Sequence, residues 1–421
     1  MVVAAGAVFA WVNVHNAANF APQWGQDLAF FHQWVHSAAT GGPWASPLIL
    51  EPQGFWTQVH THLIMPFVVG VYTIWPCQNT LLVLHSLFAC LAIWPIFRLG
   101  ESVAGGRHGL LMVLAVLAFG PFQGIAVADF RPVALFLPGI IGIWASAWVG
   151  DKRGIIVWAL VAIAGRQEAV YLLMASGTSL MFCSWGQARR CDAALILGIG
   201  LAGFLAFVLL KPEMFFHFNP SAGFEWPTGA ELWDNRLSFG IAIALSGWLL
   251  GLLAPAPLIA MLPVLWGMLT TGREWHSLSG PGAHHHVFWL PFVIAAGTVG
   301  SARVPRNIGA LILLFCGAMA FPWAHKQAGN VDGQSLVDQV PRSARVAADY
   351  SSIARLSGRP ILWNVDQLHM PDQPWHWKDK WPITEGDVDM VLAPKDHTVH
   401  QRLGSWHLVD SDGTYLLLRR P

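Results

Sequence analysis

The chain has 421 residues and no formal net charge; 54% of the residues are hydrophobic and only 11% are charged. Soluble domains carry about 25% charged residues, so this composition excludes an ordinary soluble protein and indicates a membrane protein. The balanced charge gives no sign of nucleic-acid binding. Residues 326–421 hold 11 basic and 12 acidic side chains, nearly half of the charges in the chain. We therefore predict a membrane domain over residues 1–325 and a water-soluble domain over residues 326–421.

Apolar stretches predict about eleven membrane helices, since a spanning helix needs roughly 20 apolar residues. The first helix is expected over residues 1–16. Residues 154–184 are apolar but are interrupted by charged residues at 165–168. We interpret this stretch as two short helices whose turn carries Arg166 and Glu168. The remaining predicted helices are 79–98, 104–121, 132–150, 191–211, 237–254, 256–272, 286–301 and 306–324.

Basic residues near the ends of the apolar stretches predict the orientation, because cytoplasmic loops are enriched in Lys and Arg. On this rule the first outer loop comprises residues 17–78, with residues 62–75 as an interfacial helix. The C-terminal domain falls on the same, extracytoplasmic side. We expect a multi-pass protein of the cytoplasmic (inner) membrane. The residues placed on the cytoplasmic side are Arg98, Arg107, Lys152, Arg153, Arg189, Arg190, Arg303 and Arg306.

The C-terminal segment alternates short apolar strands with polar turns. Strands are expected at residues 360–363 and 388–392, and a hairpin is expected around Asp412 and Gly413. A helix near residues 350–356 fits between the first strands. These elements predict a small α/β domain.

Asp27, Asp129 and Arg131 are the first candidate site residues. Asp27 follows the first apolar stretch, and its carboxylate could serve as a general base or bind a divalent metal. It could equally cap the helix that follows. Arg131 could bind a phosphate, because a guanidinium matches phosphate oxygens, or it could pair locally with Asp129. The residues alone do not decide between these roles, either for Asp27 or for Arg131.

Arg166 and Glu168 form the second candidate, because ionisable groups at membrane depth are costly and tend to be functional. A break in a membrane helix is tolerated where it lines a cavity, although a simple internal ion pair is the alternative. His60, His62 and His284 resemble metal ligands at first sight. Zinc needs three or four converging ligands, so packing at the interface is the competing interpretation of these histidines.

Several short motifs occur in an order that resembles a known family. They are Gln-Asp-Leu-Ala-Phe-Phe-His-Gln at 26–33, His-Thr-His-Leu at 60–63, Asp-Phe-Arg-Pro at 129–132, Arg-Gln-Glu at 166–168, and His284 followed by Pro-Phe at 291–292. This order resembles a bacterial and archaeal family of predicted multi-pass membrane proteins, a domain of unknown function with GT-C-type glycosyltransferase organisation. The second motif lacks the family's Pro, and Arg131 stands where the family has His.

The resemblance implies a GT-C-like fold: an α-helical polytopic membrane protein with a small extracytoplasmic α/β domain. It also implies transfer of a sugar from a polyprenyl-phosphate carrier to an acceptor at the outer face of the membrane. Asp27 corresponds to the essential acid of the first outer loop. Membrane lipid and the lipid-linked sugar are the expected partners. A divalent cation, Mg²⁺ or Mn²⁺, could assist, but the sequence does not require one. The implied substrate-binding residues are His60, His62, Asp129, Arg131, Arg166, Glu168 and His284.

Two other functions remain open at this point. The interrupted helix and the many Pro and Gly residues in apolar segments also suit a transporter or flippase of a lipid-linked solute. A non-catalytic membrane subunit that docks a partner through its C-terminal domain is the third possibility, because the motifs depart from the family pattern.

Overall fold

A computed structural model of the chain describes residues 1–18, 26–42, 44, 46, 61–210, 248–270, 286–305, 308–320, 334–349, 352–359, 362–365, 368 and 385–421. Within these residues the first 320 positions are almost entirely helical. The helices up to residue 210 are α1 (Val2–Ala18), α2 (Gln26–Ala39), α3 (Met65–Ile74), α4 (Gln78–Cys90), α5 (Ile93–Ala104), α6 (Gly106–Leu117), α7 (Gly120–Ala126), α8 (Phe136–Val149), α9 (Lys152–Gly165), α10 (Ala169–Phe182) and α11 (Arg190–Leu210).

The later helical elements complete the membrane body and lead into the C-terminal part. A 3-10 turn at Pro132–Leu135 precedes α8, and a second lies at Trp248–Leu253. The remaining helices are α12 (Ala256–Thr270), α13 (Leu290–Ala302), α14 (Ile308–Ala320), α15 (Gln334–Val337), α16 (Ile353–Leu356) and α17 (Val399–Arg402). Residues 237–247 of one predicted helix lie outside the described residues.

Local sequence explains where several of these helices begin and end. Gly150 adopts a left-handed conformation (φ 72°) after α8, and the Asp151 side chain then accepts hydrogen bonds from the backbone N–H groups of Arg153 and Gly154. A glycine that ends one helix and an aspartate that caps the next together make a tight α8–α9 hairpin. Pro121 lies in the first turn of α7, and the chain bends by 70° between α6 and α7.

Three described helical stretches are long and apolar enough to cross a membrane: Gln78–Ala104, Pro132–Val149 and Arg190–Leu210. A fourth arises if the bent α6–α7 pair counts as one span. Shorter apolar helices accompany them, including α1, α3, α10 and α13. The count of about eleven membrane helices stays a prediction.

The predicted interruption of residues 154–184 is confirmed. Helix α9 ends at Gly165 and α10 begins at Ala169, so Arg166 and Glu168 occupy the break. Both charged side chains are largely buried. A break in a membrane helix persists only where other protein groups bond to the freed backbone groups. Here the segment around residues 61–64 makes these bonds, to the carbonyls of Ala164 and Gly165.

The C-terminal part contains a five-stranded sheet in the order β2-β1-β3-β5-β4. The first three strands in space are parallel, and β5 pairs antiparallel with both β3 and β4. The tight turn between β4 and β5 contains Asp412 and Gly413, whose φ is +101°. The strands are β1 (Val346–Ala348), β2 (Leu362–Asn364), β3 (Met390–Pro394), β4 (His407–Ser411) and β5 (Tyr415–Arg419).

One side of this sheet belongs to the same hydrophobic core as the membrane helices. Val346, Leu392 and Leu417 join that core, whereas Ala347 and Val391 point to a separate cluster on the other side. This alternation follows from the two-residue period of a strand. The C-terminal part is therefore packed against the helical body.

Helix α2 is the element on which the C-terminal part rests. The buried His32 imidazole makes hydrogen bonds to the Ser357 hydroxyl (2.7 Å) and to the Tyr72 hydroxyl of α3 (2.9 Å). The Gln33 side-chain amide donates to the Arg359 carbonyl (3.3 Å). Burial lowers the pKa of His32 to about 3, so its imidazole is neutral in this contact. Helix α2 is thus held between α3 and the C-terminal part.

Candidate functional site

Arg131 lies between two carboxylates that the sequence separates by about a hundred positions. Its Nε donates to Asp129 Oδ1 (3.0 Å), and its Nη2 donates to Asp129 Oδ2 (3.1 Å). The same Nη2 donates to Asp27 Oδ2. The Asp129 side chain is 6% exposed and that of Arg131 is 13% exposed, while Asp27 is 44% exposed. Asp129 is therefore the buried partner of the arginine, and Asp27 is the partner that faces the surroundings.

The loop that carries Asp129 and Arg131 is held by buried polar side chains. Ser86 Oγ donates to the Ala126 carbonyl (2.8 Å), and Asn13 Nδ2 donates to the Ala128 carbonyl (2.9 Å). His85 Nε2 is 2.6 Å from the Ile125 carbonyl. The last carbonyls of a helix have no partner within that helix, and inside a membrane protein they need donors from elsewhere. Residues on α1 and α4 therefore satisfy the end of α7 and shape the loop.

Aromatic packing places Asp27 over this loop. Phe130 is fully buried and meets Phe31 of α2 edge to face, with ring centroids 5.3 Å apart. Asp27 and Phe31 are four positions apart and so lie on the same face of α2. The docking of Phe31 on Phe130 therefore brings the Asp27 carboxylate to Arg131.

Electrostatics distinguish the two acids of the cluster. The pKa of Asp129 is raised to about 6. Burial is the largest cause of the rise, Arg131 opposes it, and the nearby Asp27 carboxylate adds to it. Asp27 occupies the first turn of α2, where the positive end of the helix dipole favours a carboxylate. The structure thus provides one acid that burial makes easier to protonate and one acid that is open to its surroundings.

The break between α9 and α10 forms the second part of the site. Arg166 Nη2 lies 2.7 Å from Glu168 Oε1, and both side chains are largely buried. The backbone N–H of Thr61 donates to Gln167 Oε1 (2.7 Å), and His62 Nδ1 donates to the Gly165 carbonyl (2.6 Å). The segment that ends the first outer loop is therefore bonded to the break.

The two arginine-bearing loops touch through their backbones. A Cβ atom added to Gly165 would lie 2.8 Å from the Pro132 carbonyl oxygen and 3.0 Å from Leu135 Cβ. Glycine is required for this approach because a side chain would force backbone atoms apart. Arg131 precedes Pro132 and Arg166 follows Gly165, so the two arginines extend from neighbouring stretches of chain.

The structure brings together most of the residues singled out from the sequence. Asp27, Asp129 and Arg131 form one cluster, and His62, Arg166 and Glu168 form the adjoining one. His60 and His284 lie outside the described residues. Asp27 lies in the first turn of α2, and its carboxylate binds Arg131. Arg131 pairs with Asp129, which was one of the two interpretations of Arg131 from the sequence.

In the described part of the chain, no three His, Cys, Asp or Glu side chains converge on a common point. His62 makes aromatic contacts with Phe31 and Trp34 in addition to its bond to Gly165. Its position fits the packing interpretation.

Sequence reasoning missed Asn13, His85 and Ser86, which shape the Asp129–Arg131 loop. Each lies within a predicted apolar helix, where a lone polar residue is usually a satisfied core residue. The signal that could have found them is the adjacent polar pair His85-Ser86 inside an apolar stretch. Gln167 was missed as well, although it sits between the two charged residues of the break.

Residues 25–224 of the chain match the model of a family described as "Predicted membrane protein (DUF2079)". The match confirms the resemblance inferred from the order of the motifs, and it includes the motifs around Asp27, Arg131 and Arg166. The motif at His284 lies beyond it. No curated protein sequence matches the chain.

Two solved structures resemble the whole chain. ArnT from Cupriavidus metallidurans in the apo state has a TM-score of 0.59 at 12% identity, covering 98% of each chain. The same protein bound to undecaprenyl phosphate has a TM-score of 0.58 at 11% identity, covering 98% of this chain and 97% of that one. At such identity the similarity shows the fold, and the chain has a GT-C-like organisation of membrane helices.

Proposed function

We propose that the protein transfers a sugar from a polyprenyl-phosphate carrier to an acceptor at the outer face of the membrane. The observation that carries the proposal is the arrangement of Asp27, Arg131 and Asp129. An exposed carboxylate and a largely buried guanidinium meet at the end of the membrane helices, and the guanidinium is held from behind by a second carboxylate. One solved structure with the same fold contains undecaprenyl phosphate, which supports a lipid phosphate as the ligand.

The proposed reaction is a single displacement at the anomeric carbon. An acceptor hydroxyl oxygen attacks that carbon, and its proton passes to the Asp27 carboxylate. The bond between the anomeric carbon and the phosphate oxygen breaks, and its electron pair leaves with the polyprenyl phosphate. A single displacement inverts the anomeric configuration. Asp27 suits the role of general base because it is the exposed acid of the cluster.

The arginines supply the positive charge that the leaving phosphate needs. Negative charge develops on the phosphate as the glycosidic bond breaks, and fixed cations stabilise that charge best in a site with little water. Arg131 is already positioned by Asp129, and Arg166 extends from the neighbouring loop. In this proposal His62 and Glu168 support Arg166, and His60 and His284 complete the substrate site. A divalent cation is not needed for the chemistry, although Mg²⁺ or Mn²⁺ could add to the positive charge.

The finer architecture belongs to the same proposal. About eleven helices cross the inner membrane, and the α/β part lies on the extracytoplasmic side. The bonds from Ser357 and Arg359 to α2 support this arrangement, because α2 carries Asp27. The C-terminal part then lies on the side where the lipid-linked sugar is used.

The test is sugar transfer by the purified protein in lipid nanodiscs. The donors are undecaprenyl-phosphate-linked sugars of several classes, and the readout is the release of undecaprenyl phosphate. Asp27→Asn should lower the rate by at least about 100-fold, because a general base contributes roughly that much. The matched control is Asp396→Asn, which removes an exposed carboxylate from the turn after β3.

Full activity in Asp27→Asn would remove this residue from the chemistry. Equal losses in both variants would mean that the carboxylate at position 27 has no special role. Comparable thermal unfolding of the two variants shows that the loss in Asp27→Asn is not a folding defect.

The break at residues 166–168 also favours a second candidate function, the movement of a lipid-linked solute across the membrane. Lipid flux in proteoliposomes separates the two functions. A transporter would move fluorescent undecaprenyl phosphate between leaflets and release none from the sugar-linked form, whereas a transferase would do the reverse.

A further inference from the structure

His85 is buried within α4 and contacts the loop that carries Arg131. Its two ring nitrogens bind opposite ends of that loop. The backbone N–H of Arg131 donates to Nδ1 (3.2 Å), and Nε2 lies 2.6 Å from the Ile125 carbonyl. The segment from Ile125 to Arg131 is therefore bound at both of its ends by one imidazole ring.

These two partners determine the protonation of the ring. An N–H group can donate only to a nitrogen without a proton, so Nδ1 is the acceptor. A carbonyl oxygen can only accept, so Nε2 carries the proton. The ring is therefore neutral with its proton on Nε2, and each nitrogen has the role that its partner requires.

We propose that His85 is a positioning residue for Arg131. It acts through the backbone of the loop and does not touch the substrate. Its ring sets the position of the Arg131 backbone, and Asp129 sets the direction of the Arg131 side chain. The two constraints together place the guanidinium where Asp27 meets it. The effect of His85 on ligand binding rests on the proposed function, whereas its hydrogen bonds to the loop do not depend on that function.

Neighbouring residues hold the middle of the loop and leave this role to His85. Ser86 bonds to the Ala126 carbonyl and Asn13 bonds to the Ala128 carbonyl. Neither contacts the backbone of Arg131 in the bonds that the described residues make. Of these three residues, His85 alone therefore connects the end of α7 to the arginine itself.

Two conservative variants separate the two bonds. In His85→Asn the side-chain oxygen takes the position of Nδ1, so the bond from Arg131 can form while the bond to Ile125 is lost. In His85→Gln the side-chain amide reaches the position of Nε2, so the bond to Ile125 can form while the bond from Arg131 is lost. Both variants lose one bond of similar kind, which makes them matched controls for stability.

The first measurement is amide hydrogen exchange of a peptide that contains Arg131. His85→Asn should keep the slow exchange of the wild type, and His85→Gln should exchange faster by about tenfold or more. The second measurement is the binding of undecaprenyl phosphate in nanodiscs. His85→Gln should bind it about tenfold more weakly than His85→Asn, while the two variants unfold at similar temperatures.

Equal exchange and equal lipid affinity in the two variants would overturn the proposal, because His85 would then be an ordinary core residue. Faster exchange in His85→Gln with unchanged lipid affinity would also overturn it, since the loop would not position the ligand. A wild-type protein that binds no undecaprenyl phosphate would defeat the proposed function. In that case the exchange at Arg131 still decides whether His85 holds the loop.

Discussion

Two helix breaks among the described residues, the loop before α8 and the turn between α9 and α10, are alike in composition and different in construction. Each places an arginine two positions from a carboxylate, as Asp129–Arg131 and as Arg166–Glu168. At the first break, side chains from α1 and α4 bind the backbone, and an exposed acid from α2 reaches the arginine. At the second break, the segment at 61–64 binds the backbone, and the ion pair between Arg166 and Glu168 is internal to the break.

This difference assigns different tasks to the two arginines. Arg131 binds the buried carboxylate of Asp129 and the half-exposed carboxylate of Asp27. A phosphate can therefore replace Asp27 while Asp129 keeps its bonds to the guanidinium. Arg166 is paired with Glu168, and both are largely buried. Moving such a pair is costly because a buried charge must stay compensated. We therefore expect Arg131 to dominate ligand binding and Arg166 to support it.

Neutralising each arginine in turn tests whether Arg131 and Arg166 have different tasks. Arg131→Gln should reduce sugar transfer by about 100-fold or more, since fixed charge at a leaving phosphate is worth that much. Arg166→Gln should reduce it by about tenfold, a smaller loss for a supporting charge. Turnover of undecaprenyl-phosphate-linked sugar measures both effects. Arg98→Gln is the control, because Arg98 has an exposed ion pair with Glu101. An equal loss at positions 131 and 166 would contradict the division of tasks.

The contact between the two breaks offers the next test. Gly165→Ala places a methyl group 2.8 Å from the Pro132 carbonyl, so the two loops must separate. Overpacking of this kind costs about 1–3 kcal/mol, and thermal unfolding of the purified protein should show it together with a loss of transfer. Gly198→Ala is the matched control in α11, where an added Cβ meets nothing within 4 Å. Identical stability and activity in the two variants would show that the contact is unimportant.

A smaller effect concerns the competition between Asp27 and the ligand for Arg131. Removing the charge in Asp27→Asn should raise the affinity for undecaprenyl phosphate by about two- to fivefold, because half-exposed ion pairs contribute only about 0–1 kcal/mol. Native mass spectrometry of the lipid-bound protein measures the change. The variant would then bind its lipid more tightly while it fails to transfer the sugar. Weaker binding in Asp27→Asn would mean that the carboxylate contacts the ligand instead of competing with it.

The smallest predicted effect is a dependence of binding on pH. Burial raises the pKa of Asp129 to about 6, so this acid gains a proton as the pH falls from 7 to 5. Arg131 then loses part of its internal counter-charge and should hold an anionic ligand about twofold more tightly at pH 5. The sugar-linked lipid is the suitable probe because its phosphodiester does not titrate in this range. The step should be absent in Asp129→Asn, and a step of equal size in that variant would assign it to another group.

Much of the fold could be predicted from the sequence because its signals are local. Charged residues inside an apolar stretch predicted the break that separates α9 from α10. Alternating residues and an Asp-Gly turn predicted β3 and the final hairpin. The order of the strands was not predictable, since β1 lies between β2 and β3 and such pairing depends on contacts distant in sequence.

The site was predictable residue by residue but not as an arrangement. Asp27 and Arg131 stood out as charges beside apolar segments, yet their bond joins positions 104 residues apart. Phosphate binding and local pairing with Asp129 were the alternatives for Arg131 in the sequence. The structure contains the pairing with Asp129, and it adds a bond to Asp27 that the sequence did not predict. His85 could not be found because its importance arises from two backbone partners on a different segment.

The most direct test of the account is a structure determined by electron cryomicroscopy with undecaprenyl phosphate bound in nanodiscs. The phosphate should lie within hydrogen-bonding distance of Arg131, Asp129 should keep its contacts with the guanidinium, and the Asp27 carboxylate should have turned away from Arg131. A phosphate bound elsewhere, with the bond between Asp27 and Arg131 intact, would contradict this expectation.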